Sequence, residues 1–161
     1  MSVIKANTFF KQSEFTGPTI VLDGIGTPEN IGSIMRLAGN IGCKRLVFTE
    51  RVELNQTKIN RIARNSLKYI DILFLSYQEI EDTLSNLIAI ETSSNSTNIF
   101  ETELPFNATF IIGNEKRGIS EELLSITKVQ VFIPMPGKVK SLNVSHALSI
   151  GLFEWYRQTQ I

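Results

Sequence analysis

A glycine-rich stretch, Gly24-Ile25-Gly26-Thr27-Pro28-Glu29-Asn30-Ile31-Gly32, runs into Ser33 and Arg36. Backbone N–H groups of such a turn, at the start of a helix, can bind phosphate. No Gly-Lys-Ser/Thr closes it, so it is not a P-loop, and its third glycine is out of register for a dinucleotide fingerprint. Pro28 removes one N–H donor as well. Arg36 falls one turn beyond Gly32 and Ser33 and one turn before Asn40, a small polar face that leaves its guanidinium room to reach the loop. The plain alternative is a surface arginine on an amphipathic helix. A second stretch, Ile112-Gly113-Asn114-Glu115-Lys116-Arg117-Gly118-Ile119-Ser120, has two glycines that permit sharp turns and close approach to a ligand. Glu115 there could orient the loop by accepting backbone N–H bonds; otherwise this is an ordinary strand-to-helix turn. The third stretch, from Ile133-Pro134-Met135-Pro136-Gly137 through Lys138, Val139 and Lys140, is held extended by its prolines. Ser141, Asn143 and Ser145 then cluster where a helix starts, and capping explains only one of the three.

Those stretches need elements to hold them. Apolar runs at 19–22, 46–48, 72–75, 88–90, 109–112 and 129–133 read as strands. Helical patterns lie between them: 31–41 with Asn30 as N-cap, a basic helix over 57–67, an acidic helix over 78–87, and a short helix opened by Ser120. The stretch ETSSNSTN reads as loose, and a last helix covers about 143–158. This alternation predicts an α/β fold, a mostly parallel six-stranded sheet flanked by helices. All three stretches then lie beyond carboxyl ends of strands, where open α/β sheets bind ligands. With no repeat and no linker, one domain over residues 1–161 is expected, 1–17 being a short N-terminal extension. On the last helix Val144, Leu148, Gly151, Leu152 and Trp155 form a stripe that packs on the sheet or on a second subunit.

The 161 residues carry 16 basic and 16 acidic side chains, and zero net charge argues against coating nucleic acid by bulk electrostatics. The distribution is uneven. Residues 36–68 hold eight basic side chains, among them Arg61 and Arg64, and two acidic ones, whereas 71–103 hold seven acidic and no Lys or Arg. Either the basic block meets an anionic partner or the two blocks are solvated faces of opposite sign. No apolar run approaches the roughly 18 residues of a membrane span, and the first fifteen residues lack a signal peptide's apolar centre, so no membrane is expected. The one cysteine, Cys43, rules out an internal disulfide, reads as a buried small hydrophobe and agrees with a cytoplasmic location. With the one histidine, His146, it leaves little for a metal site, and none is expected.

Together the three stretches resemble the signature motifs of the SpoU (TrmH) branch of the SPOUT superfamily, S-adenosylmethionine-dependent RNA 2′-O-ribose methyltransferases. Asn30-Ile31-Gly32-Ser33-Ile34-Met35-Arg36 matches the first motif and residues 112–118 the second. The third, IPMPGKVKSLNVSHALSIGLFEW, is the most specific, and the resemblance covers about residues 19–158. It implies a deep C-terminal trefoil knot, a homodimer, and S-adenosyl-L-methionine bound in the knot. Gly113, Ile133, Ser141 and Leu142 would hold that cofactor, with Ile90, Glu91 and Thr92 lining its pocket. Asn30, Arg36, Glu115, Ser141 and Asn143 match positions tied to catalysis and active-site order, and Asn114 sits where family members vary.

Arg36 then serves as a base assisted by the substrate phosphate, or stays charged to clamp that phosphate and stabilise a developing alkoxide. With RNA as partner, Lys138 and Lys140 join Arg36, Arg61 and Arg64 as candidate phosphate contacts. His146 is expected at the dimer interface. Transfer RNA is favoured over ribosomal RNA, because only about 18 residues precede the first strand where some ribosomal RNA enzymes carry an extra domain; the third motif nonetheless reads close to ribosomal RNA members. The rivals are an RNA-binding protein of this fold without methyl transfer, a base-nitrogen RNA methyltransferase, and another α/β nucleotide-binding enzyme. Arg36, Glu115, Ser141 and Asn143 argue against the first, the SLNVS stretch and the Asn30–Arg36 pair against the second, and the defective phosphate loop against the third.

Overall fold

Consecutive apolar residues fill the middle of the central strands, as in Ile20-Val21-Leu22 and Phe110-Ile111-Ile112, because a parallel sheet is covered on both faces. The computed structural model describes residues 16–49 and 56–161. Among them, strands β1 (Thr19–Asp23), β2 (Arg45–Phe48), β3 (Asp71–Phe74), β4 (Leu87–Ile90), β5 (Thr97–Asn98), β6 (Thr109–Gly113) and β7 (Val129–Phe132) form one sheet. Its order is β3-β2-β1-β6-β4-β7-β5, with each pairing parallel. The helices are α1 (Pro28–Ile41), α2 (Gln56–Ala63), α3 (Tyr77–Thr83), α4 (Glu121–Ile126) and α5 (Val144–Gln160). Successive strand residues point to opposite faces. Ile20, Leu22, Phe110 and Ile112 therefore pack with Ile34 of α1 and with Leu148 and Trp155 of α5. Val21, Ala89 and Ile111 pack on the other side with Ile80 of α3 and Leu123 of α4. The domain is three layers, with the sheet in the middle.

Several elements differ from the sequence expectation. The sheet has seven strands rather than six. The added β5 is two polar residues inside the stretch read as loose, and it pairs with β7 at the sheet edge. Helix α1 begins at Pro28, three residues earlier than expected, and its N-cap is Thr27. Proline suits the first helical position, since its missing N–H has no partner there anyway. Asn30 is therefore not a cap: it sits inside the first turn and is buried. The basic helix stops at Ala63 and continues as a 3-10 segment over Arg64–Tyr69, with Arg64 at φ +54°. The acidic helix ends at Thr83, and Leu87 begins β4 instead. Arg51 and the two acidic residues of the basic block, with residues 1–15 of the N-terminal extension, lie outside the described residues.

The apolar stripe of α5 turns inward to the chain's own core. Leu148, Gly151, Leu152 and Trp155 are buried, while His146 on the same helix is exposed. The helix is also tied down by its polar groups. Trp155 Nε1–H donates to the Pro105 carbonyl at 2.9 Å, and Gln158 Nε2 donates to the Thr102 carbonyl at 3.0 Å. Cys43 is buried, and burial pushes its thiol up to about 12. No helix among the described residues is long and apolar enough to cross a membrane. Replacing Trp155 by Ala empties the largest fully buried side-chain site and removes one of the two bonds to the Pro105 carbonyl, which keeps the Ala108 amide; urea unfolding should show a loss of about 3–5 kcal/mol.

Candidate active site

Because the sheet is parallel, the loops leaving β1, β6, β4 and β7 emerge at the same edge and stand in that order. Those after β4, β6 and β7 surround a cavity of about 760 Å³, while the β1 loop lies beside it, outside the wall. Ile90, Glu91, Thr92, Gly113, Ile133, Ser141 and Leu142, the residues expected around a cofactor, all border it. So do Glu115 and Asn143. The wall combines apolar side chains with residues of the β6 loop, and it includes the cationic Lys116, Arg117 and Lys140.

The loop after β6 owes its shape to close backbone packing. Asn114 N–H donates to the Gly118 carbonyl at 3.0 Å and Gly118 N–H returns the bond at 2.9 Å. A Cβ on Gly113 would lie 2.2 Å from the Gly118 carbonyl carbon, so position 113 admits glycine alone. Asn114 clips two loops together. Its Oδ1 accepts from the Lys116 and Arg117 amides, and its Nδ2 donates to the Gly24 carbonyl at 2.8 Å. The sequence reading gave Asn114 no role, although an Asn turning its side chain onto amides two and three residues on is a familiar turn device.

Three side chains, from the first turn of α1, the β6 loop and the N-cap of α5, are joined by hydrogen bonds. Asn143 Nδ2 donates to Asn30 Oδ1 at 3.0 Å, and Asn30 Nδ2 makes a short bond to Glu115 Oε1. Thr27 Oγ1 donates to the same carboxylate oxygen at 2.9 Å. Asn143 also caps α5, its Oδ1 accepting from the Ser145 amide at 2.9 Å. Burial pushes the Glu115 carboxyl up, but bonds from its own backbone, Asn30 and Thr27 and the charge of Lys116 outweigh it, and the pKa ends below the usual value.

The other expected site residues lie outside this cluster. Arg36 is exposed on α1 and does not border the cavity. Arg61 and Arg64 are exposed on α2 and the following 3-10 segment, which pack on α1. Lys138 is exposed in the β7–α5 loop. Lys140 borders the cavity, but its ammonium donates to the Met135 carbonyl at 2.7 Å, closing its own loop. Among the described residues no group of His, Cys, Asp and Glu could hold a metal ion.

The bonds that lower the Glu115 pKa favour its charged form in the folded chain. Their stabilisation is present above the ordinary carboxylate range and is lost as pH falls through the lowered value. Asn30→Ala removes one of these bonds, and a carboxyl-carbon NMR titration should show Glu115 moving up toward the ordinary value.

Comparison with known proteins places this arrangement. The model of the SpoU rRNA Methylase family matches residues 17–153. A protein of Staphylococcus aureus (strain MSSA476), provisionally named as a TrmH family tRNA/rRNA methyltransferase, is 27% identical over 156 residues, 92% of this chain and 62% of the relative. The crystal structure of an RNA 2′-O ribose methyltransferase is 26% identical with a TM-score of 0.80, covering 94% of this chain and 60% of that one. A structure concerned with the 2-OH methylation of C/U34 on tRNA is 26% identical with a TM-score of 0.77, covering 88% of this chain and 95% of that one. The chain spans about three-fifths of the length of the curated relatives it matches. With the family model matching from β1 into α5, the chain belongs to the SpoU rRNA methylase family, the branch that its three motifs resemble.

Proposed function

We propose that this chain transfers a methyl group from S-adenosyl-L-methionine to a ribose 2′-hydroxyl of RNA, with tRNA as the favoured substrate. The observation that carries the reading is the hydrogen-bonded series Asn143–Asn30–Glu115, which joins all three motif loops at one cavity. The cavity suits the cofactor. Its volume is ordinary for a small-molecule site. Ile90, Ile133 and Leu142 offer a flat apolar base somewhere to lie, and the glycine-lined backbone of the β6 loop offers donors and acceptors. The similarity to a chain of almost the same extent concerned with tRNA methylation supports tRNA.

When bound, the cofactor supplies an electrophilic sulfonium methyl. Gly113, Ile133, Ser141 and Leu142 would hold it for displacement by the ribose 2′-oxygen, whose proton would pass to water. Orientation supplies much of the acceleration for such a displacement. Glu115, fixed by Thr27 and Asn30, holds the first two loops in register, while Asn143 fixes the third. Arg36, outside the cavity wall, meets the RNA rather than the cofactor. Staying charged, it clamps a phosphate and stabilises the developing alkoxide. Acting as base instead demands deprotonation of a group that stays protonated above pH 12, so the clamp is the easier role.

The same reading includes a single methyltransferase domain, a knot and a homodimer in the cytoplasm. The knot would lie where residues 133–143 lead from β7 into α5, which packs back on α1. Since α5 spends its apolar stripe on its own core, the dimer surface falls to the other side of the helix, where Phe153 and Tyr156 are exposed.

Arg36→Ala should lower methyl transfer roughly 10²- to 10³-fold with cofactor affinity unchanged. Tritiated transfer to total RNA, followed by nuclease digestion to nucleosides, measures this; near-normal 2′-O-methylation by the variant would overturn the assignment. RNA affinity should fall linearly with salt on a log–log plot. Arg61→Ala or Arg64→Ala should flatten that slope by about 0.7–0.9 for each phosphate no longer neutralised.

A further inference from the structure

Strand β6 lies between β1 and β4, and each neighbour delivers a carboxylate beside Gly113. Asp23 pairs with Gly113 directly. Glu91, two residues past the Ala89–Ile111 pair, comes level with Gly113 on the other side. The β6 loop turns over 114–118 and comes back onto Gly113, so its next two amides are offered one to each carboxylate. Ile119 N–H donates to Glu91 Oε2 at 3.1 Å, and Ser120 N–H donates to Asp23 Oδ2 at 2.7 Å. The remaining oxygens are anchored in turn. Glu91 Oε1 accepts from the Thr92 amide at 2.9 Å, and Asp23 Oδ1 accepts from the Thr49 and Tyr77 hydroxyls at 2.9 and 3.2 Å. Gly118 has φ +71°, and a Cβ there would come within 2.7 Å of Glu91 Oε2, so a side chain would displace the carboxylate.

We propose that Asp23 and Glu91 are paired positioning residues that hold the β6 loop closed from both sides and thereby shape the cofactor cavity. The proposal rests on the methyltransferase reading above. Asp23 is 5% exposed and lies outside the cavity wall, so any effect it has on a bound ligand must travel through the loop. Glu91 belongs to the wall, yet both its oxygens already accept backbone amides, and it acts by holding Ile119 rather than by touching the cofactor. Carboxylates fit this task because they are acceptors only. An amide at 91 has one acceptor oxygen for two backbone amides and turns its own NH₂ toward an N–H; an amide at 23 loses the charge that strengthens the Ser120 bond and requires the Thr49 and Tyr77 hydroxyls to turn from donors into acceptors.

The test uses Asp23→Asn and Glu91→Gln, with amide hydrogen exchange and S-adenosylmethionine calorimetry on each and on the wild type. Glu91→Gln should speed exchange at Ile119, and Asp23→Asn at Ser120. Each should weaken cofactor binding about tenfold, as expected for one charge-assisted hydrogen bond. Together they should lose less than the product of the two, since one loop carries both. Unchanged affinity in Asp23→Asn with a deprotected Ser120 amide overturns the proposal. So does lost affinity in Glu91→Gln with Ile119 still protected, which would make Glu91 a direct ligand group. If Asp23→Asn does not fold, Ser120→Pro removes the same bond from the donor's side; the φ of −60° at Ser120 suits proline, and the same loss of affinity is expected. A wild-type chain that binds no S-adenosylmethionine overturns the methyltransferase reading instead, and the exchange rates still decide whether the two carboxylates hold the loop.

Discussion

No side chain fits between Gly113 and Gly118, and the site is built on that close approach. It folds the loop after β6 flat against the end of its own strand. From there Glu115 can reach across to Thr27 and Asn30, and Asn114 can reach the Gly24 carbonyl. Gly24 has φ +66°, and the Arg117 guanidinium lies over it, leaving 3.3 Å to where a Cβ would stand. The glycines here make room for backbone and for charged groups to meet. A methyl at 113 would push the loop off β6 and separate residues that belong to different motifs.

Thr27, Asn30, Glu115 and Asn143 are bonded to one another before any ligand arrives. Glu115 is a pure acceptor, so Asn30 must turn its NH₂ toward it, which leaves Asn30 Oδ1 facing the amide of Asn143. The orientation of one buried asparagine is thereby fixed from both ends, and with it the separation of the first and third loops. Dipoles held in advance by their neighbours need no reorganisation during reaction, which is the largest contribution many enzymes make.

Much of this was legible in the amino-acid order, and the misses have physical causes. Runs such as Ile20-Val21-Leu22 and Phe110-Ile111-Ile112 signal strands covered on both faces, and the structure buries them all. Asn30 misleads because asparagine is a good N-cap, while its actual partners are 85 and 113 residues away. Strand β5 has two polar residues and no apolar periodicity to announce it. The break of the basic helix at Arg64, at φ +54°, carries no glycine or proline to mark it. The motif loops could be found by composition, but their roles came from resemblance, and only the sheet order shows why Asp23 and Glu91 flank the same glycine.

That sheet order also governs how the chain is assembled. The first four strands do not form a continuous sheet: β1 pairs with β2, β4 pairs with β6 and β7, and between β1 and β4 there is a slot one strand wide. Until residues 109–113 enter it, the β1 edge has backbone N–H and C=O groups unmatched and β4 is not joined to β1 at all, and unmatched strand edges are prone to pairing with other chains. The β1 edge and strand β4 therefore wait for the same five residues, and the two halves of the sheet become one only when β6 takes its place.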